Sequence, residues 1–342
     1  MSRVVDLASA NQLMSYVHKT QQRINTLHTQ LSSGKVSQDY TGIARESGRL
    51  IRLENARDLY QRFITTNQTM DLRLKTIETT LDAVQKTIKD FRAAVTEYGK
   101  GATDEPKRVA AVQDAAFKSL IGLQGLLNTE FDGRFLLAGS QVTTRPTDFG
   151  LTTLDAFQQA FDGAAVSVPT TRESHLSDPA LTYYHGDSVT LTHRVDNERS
   201  ISLDLTAADP AFEKAIRAMK LIAQGQFGSE GGLDQNTDRI DQALALLGSA
   251  LDRASGSAGP LGNEAAGNLE TIQMEVGLHR ALINDTNERL RKSIGALDGY
   301  IADVENINPT EIATRLFDQA NALEASLTTI ARVRQLSLVK FL

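Results

Sequence analysis

An apolar seam running from Ala56 to Tyr98 constrains this chain more than any other feature. Ala56, Tyr60, Phe63, Asn67, Met70, Leu74, Ile77, Leu81, Val84, Ile88, Phe91, Val95 and Tyr98 follow one another in steps of four and three, which holds register through about six heptads. A strand cannot use that pattern, because its side chains alternate with period two. A helix this long presents a narrow apolar stripe and needs other helices beside it. Gly99, Gly101 and Pro106 end it. Asn67 sits on the seam, where an amide reads either as a tolerated polar position or as a register-setting device.

Further helical patterns flank this one. A first helix spans roughly Asn11 to Ser32 and stops at Gly34, a natural C-cap, with residues 1–11 expected to be irregular. Its stripe is Leu13, Val17, Thr20, Ile24, Leu27 and Leu31. Helices are predicted at about 106–130, 209–224 and 236–252, then from near Gly267 to Asn308-Pro309, where the residue before proline resists the helical region. The last helix, 310–340, carries Leu323, Leu327, Ile330, Val333, Leu336 and Leu338 and stays apolar to Phe341 and Leu342. A chain end is normally polar and frayed, so this stripe calls for a partner. The two terminal stripes are expected to pair with each other and with those of other copies. The predicted assembly interface is therefore Leu13, Val17, Ile24, Leu27 and Leu31 with Leu323, Leu327, Ile330, Leu336 and Leu338.

Between Phe131 and Pro210 the texture changes. Apolar or alternating runs occur at Phe135–Ala138, Ala164–Val168, Leu181–Tyr184, Val189–Val195 and Ile201–Leu205, with a hairpin turn at Asp196-Asn197-Glu198. The fold class that follows is mainly α. It is a nested coiled-coil rod of long helices from the N- and C-terminal segments, with a small β-rich domain inserted in the middle. Residues 1–45 and 309–342 form a terminal coiled-coil domain, 46–139 and 209–308 a long-helix rod, and 140–208 the β-rich outer insert.

Composition narrows the function. Over 342 residues the net charge is −6, opposite to the basic face of a nucleic-acid binder. Cysteine is absent, which removes disulfides and thiolate metal sites. No run approaches the ~18 apolar residues that span a bilayer, and the first thirty residues lack the pattern of a cleaved signal peptide. No Walker loop or Gly-x-Ser-x-Gly elbow is present, and the carboxylates are scattered among Lys and Arg as on solvated faces. His185 and His193 are the one pair that a hairpin would bring together around a metal, and His185 with Asp187 the one nucleus for catalysis in the insert. Neither amounts to a site. No catalytic residue, cofactor or metal is expected, and the chain reads as a structural protein.

Three stretches resemble the flagellin superfamily. LHTQLSSGK at 27–35 follows a heptad helix as in that family. In NTEFDGRFLLAGSQVTTRPTDF at 128–149, Gly133, Phe135, Leu136, Leu137, Gly139 and Ser140 match the segment where the family leaves its helical rod for its outer domain. ALEASLTTIARVRQLSLVKFL at 322–342 is similar to the junction branch of the superfamily, whose members sit between hook and filament. The likeness spans most of 11–149 and 267–342. It departs after Lys35, where the usual double Asp is replaced by Gln38-Asp39-Tyr40-Thr41-Gly42-Ile43. The resemblance implies a subunit exported through the flagellar type III apparatus without a cleaved signal peptide, read from a disordered N-terminal segment. It implies an extracellular location at the hook–filament junction. The implied partners are hook-associated protein 1, flagellin, further copies in a ring, and a cytoplasmic export chaperone on the C-terminal helix. The alternative it leaves is a flagellin, the self-polymerising filament subunit.

Overall fold

The computed structural model describes residues 2–43, 45–161, 172–177, 182–224, 232–252 and 258–339. Packing divides the chain into two units: a terminal unit, Met1–Arg62 with Arg289–Leu342, and a central unit, Phe63–Glu288.

The terminal unit is built from α1 (Ser2–Ser33), the first part of α2 (Ser47–Gly99), the last part of α8 (Leu269–Glu305) and α9 (Pro309–Val339). Helix α1 begins at Ser2 and includes the residues expected to be irregular; the helical hydrogen bonds extend the predicted helix towards the N-terminus. It ends at Gly34, whose φ of 71° is the left-handed conformation that a C-cap glycine supplies without a Cβ penalty. Gly34 N still donates back to Gln30 O at 2.8 Å. Two further backbone hydrogen bonds pin the chain here to the end of α8, Val36 N to Glu305 O (2.7 Å) and Ile307 N to Gly34 O (3.0 Å). Asn308 then caps α9, its side-chain oxygen accepting from Thr310 N at 3.1 Å.

The central unit holds the main core. One cluster of buried side chains joins Leu74–Tyr98 of α2 to α3 (Pro106–Leu127), α6 (Pro210–Ala223), α7 (Asp238–Leu251) and the start of α8. The predicted seam of α2 is the buried stripe here: Leu74, Ile77, Leu81, Val84, Ile88, Phe91, Val95 and Tyr98 are all buried. The insert shares this cluster through Tyr183, Val195, Ile201, Leu203 and Leu205.

The insert carries less strand than its sequence pattern suggests. Three two-stranded antiparallel ladders occur among the described residues: β1 (Glu130–Phe131) with β2 (Arg134–Phe135), β3 (Leu191–Arg194) with β4 (Ser200–Leu203), and β5 (Ala258–Gly259) with β6 (Gly262–Asn263). The hairpin expected around Asp196 is present, with Asp196 Oδ1 accepting from Glu198 N and Arg199 N at 2.8 and 2.7 Å. Residues 182–184 contribute only an isolated bridge, Tyr184 to Thr147. The run 164–168 lies outside the described residues. Two short helices that the sequence pattern does not announce, α4 (Leu154–Phe161) and α5 (Arg172–Ser177), occupy part of the insert. Amphipathic segments this short give too few turns for periodicity to show.

Candidate assembly site

In the terminal unit α1 and α9 pack against each other. They run antiparallel, since the end of α1 meets the start of α9 through the Gly34–Ile307 hydrogen bond. Of the residues predicted on this face, Val17 is buried, while Leu13, Ile24, Leu27, Leu323 and Ile330 are half-buried. Leu31 is exposed, and Leu327 retains 49% of its surface. Leu336 and Leu338 fall on the helical backbone of α9, but their side chains are outside those described. Much of the predicted stripe is therefore only partly covered.

The uncovered apolar surface goes further than the stripe. Met14, Tyr16, Tyr40, Ile51 and Tyr300 are exposed, and Phe317 retains 70% of its surface. Phe317 lies off the predicted seam. Its only signal in the sequence is a large aromatic on the polar side of an amphipathic helix. Against this, the buried apolar side chains of the unit among the described residues are Val17, Leu50, Leu290, Ile301 and Ile312. Leu50, Ile301 and Ile312 are not part of the predicted interface; they come from α2, α8 and α9. Between α1 and α9 runs an open cleft of about 520 Å³, lined by Lys19, Gln22, Arg23, Thr26 and Leu27 on one side and Arg315, Asp318 and Gln319 on the other.

The joint after α1 is organised by its single Asp. Asp39 accepts from Thr41 Oγ1 at 2.6 Å, from Gly42 N at 3.0 Å and from Ser37 Oγ at 3.2 Å. Those hydrogen bonds, led by Thr41, hold its carboxyl below the usual range. Gly42 suits the close approach of this turn, as a Cβ there would collide with the Ser37 side chain. Tyr40 reaches across to Glu54 with its hydroxyl at 2.8 Å.

The histidine pair of the insert does not form. The register of the hairpin sets His193 opposite Ile201, and His185 lies outside that ladder. The His193 ring instead contacts Asn67, Nε2 to Oδ1 at 2.9 Å. Asp187 is occupied in holding a loop, accepting from Ser140 N at 2.7 Å. No cluster of three His, Cys, Asp or Glu side chains suited to a metal occurs among the described residues.

Residues 4–142 match the bacterial flagellin N-terminal helical region. Through this region the chain is similar to bacterial flagellins. No curated protein matches the chain. Among solved structures, a putative flagellar hook-associated protein from Vibrio parahaemolyticus is similar at 13% identity and a TM-score of 0.51, covering 78% of this chain and 99% of that one. At that identity the likeness is one of fold, and it matches the flagellin-like fold expected from the sequence. Flagellar hook associated protein-3 from Legionella pneumophila is similar at 14% identity and a TM-score of 0.34, covering 86% of this chain and 98% of that one.

Proposed function

We propose that this chain is a member of the flagellin family and serves as the hook–filament junction subunit, hook-associated protein 3, joining the hook through hook-associated protein 1 to the flagellin filament. The observation that carries the reading is the terminal unit itself: two long helices that cover each other only in part and leave Phe317, Leu327, Met14 and Tyr16 in solvent. Large apolar surface left open on a folded chain marks a place of association. Repetition of such contacts from copy to copy builds rings or helical assemblies. The interface is Leu13, Val17, Ile24, Leu27, Leu31, Leu323, Leu327, Ile330, Leu336 and Leu338. The junction role, rather than the filament role, is supported by the resemblance of residues 322–342 to the junction branch. The similar Vibrio parahaemolyticus protein, itself a putative flagellar hook-associated protein, points the same way.

On this reading the chain is exported by the type III route, with a chaperone on α9 before export, and works outside the cell without catalysis or cofactor. Seeded polymerisation tests the central claim. Purified chain is mixed with sheared filament ends and followed by electron microscopy. A short cap that does not propagate is the expected result. Long growing filaments would instead make the chain a flagellin, and no addition at all would remove the assembly reading.

A further inference from the structure

Asn67 is fully buried on α2, and both ends of its amide are engaged by other elements. One N–H donates to the backbone carbonyl of Val195 at 3.0 Å and the other to Asn287 Oδ1 on α8 at 2.9 Å. Its carbonyl oxygen accepts from His193 Nε2 on β3 at 2.9 Å, which assigns the proton to that nitrogen. Arg194 adds a second tie to α2, its guanidinium 5.8 Å from the centre of the Phe63 ring.

The face that the hairpin turns inward is Leu191, His193 and Val195 on one side and Ile201, Leu203 and Leu205 on the other. It is apolar except for His193. Because side chains alternate with period two, sliding the hairpin by two residues along α2 would keep an apolar face inward. Hydrophobic burial therefore does not choose between seatings. The polar groups do, because a shifted hairpin would place Leu191 or Val195 against the Asn67 amide, leaving its buried carbonyl oxygen without the His193 donor and its amide with Asn287 alone.

We propose that Asn67 is the latch that fixes the seat of the β3–β4 hairpin on α2 and α8, selecting one of several apolar-compatible placements. Burial supports this by holding His193 below its ordinary pKa, so the neutral Nε2–H tautomer that Asn67 needs is the resting form. Asn67 is a positioning residue in this role, and the inference stands apart from the junction reading.

The test is amide hydrogen exchange on the full chain with Asn67→Leu, alongside ¹⁵N spectra of the His193 ring. In the native chain the Nε2–H tautomer dominates. In the variant, exchange across 190–205 should rise roughly tenfold, the scale of one buried hydrogen bond, with 74–98 unchanged. The tautomer preference should be lost as well. Unchanged hairpin protection, or an equal loss throughout the central unit, overturns the proposal. Should Asn67→Leu fail to fold, His193→Phe decides, because it keeps the inward face apolar and removes only the latch contact. Loosening confined to the hairpin supports the latch, and native protection refutes it.

Discussion

The two units solve opposite problems with the same kind of helix. In the central unit α2 is covered by α3, α6, α7, the insert and α8, and its seam vanishes from the surface. In the terminal unit α1 and α9 have chiefly each other, and the apolar face is left partly open. Heptad spacing alone does not distinguish them. What differs is the number of neighbours, and hence whether the stripe is buried or left partly in solvent.

The central unit is also where charge has been taken inside. Helix α6 is buried on every side, and Glu213, Lys214, Arg217 and Lys220 go in with it. Arg217 bridges two carboxylates, Glu213 at 2.7 Å and Glu264 at 2.9 Å. Lys214 donates to Ser249 Oγ at 3.0 Å and to the carbonyl of Gly267 at 2.9 Å. Burial alone would raise the Glu213 carboxyl, but hydrogen bonds from His175 and Arg217 outweigh it and hold the group ionised. Lys220, deeply buried, is pushed down to about 8. Such a network is intolerant of losing a member, because the charge left behind stays buried without its partner.

That contrast can be broken experimentally, first at its strongest point. Leu327→Asp should abolish addition to filament ends while leaving the central unit's urea midpoint unchanged. An assembling variant would show that the exposed stripe is not the interface. Arg217→Met should then destabilise the central unit by about 3–5 kcal/mol, because Glu213 is left buried without its main partner. Chemical unfolding checks this, and a loss under about 1 kcal/mol would mean that the network relaxes readily. Leu120→Ala, at a fully buried site on α3, should cost about 2–5 kcal/mol, against little for Leu31→Ala at an exposed one.

Acid sharpens the same comparison. His175 is buried beside Tyr183 and Glu213, and burial, aided by the charge of Lys220, lowers its pKa from 6.5 to about 4. A base whose folded pKa is depressed gives its full stability above the unfolded value. The central unit should therefore lose stability as pH falls from about 6.5 towards 4, by up to roughly 3 kcal/mol. A His175→Phe chain should show a flatter profile over that window. A matching slope in the variant would assign the acid sensitivity elsewhere. The smallest effect belongs to the surface: Lys86→Ala removes an exposed pair with Asp90 and should change stability by less than about 0.5 kcal/mol.

Much of the fold is legible in local chemistry. The α2 seam, the C-cap at Gly34, the stop before Pro309 and the turn at Asp196 each depend on few residues and on interactions within one or two turns. The contact between α1 and α9 is legible in part: Val17 is buried and Leu27 half-buried where the spacing sets them inward, whereas the exposed Phe317 lies off the seam. The insert is the least legible region. Its strands are four residues or shorter, so period-two alternation marks apolar edges that in part form loop or short helix. The charges of α6 read as a solvated face, because a charged residue looks the same in sequence whether water or a carboxylate waits for it.

The sequence by itself determined where helices run, where they stop and which stripe of each is apolar, because those properties are set by neighbours along the chain. Tertiary structure alone decided which stripes are covered, which charges are buried and paired, and that Asn67 meets His193 and Asn287. Those outcomes depend on residues far apart in sequence arriving together, and only the packed chain specifies that.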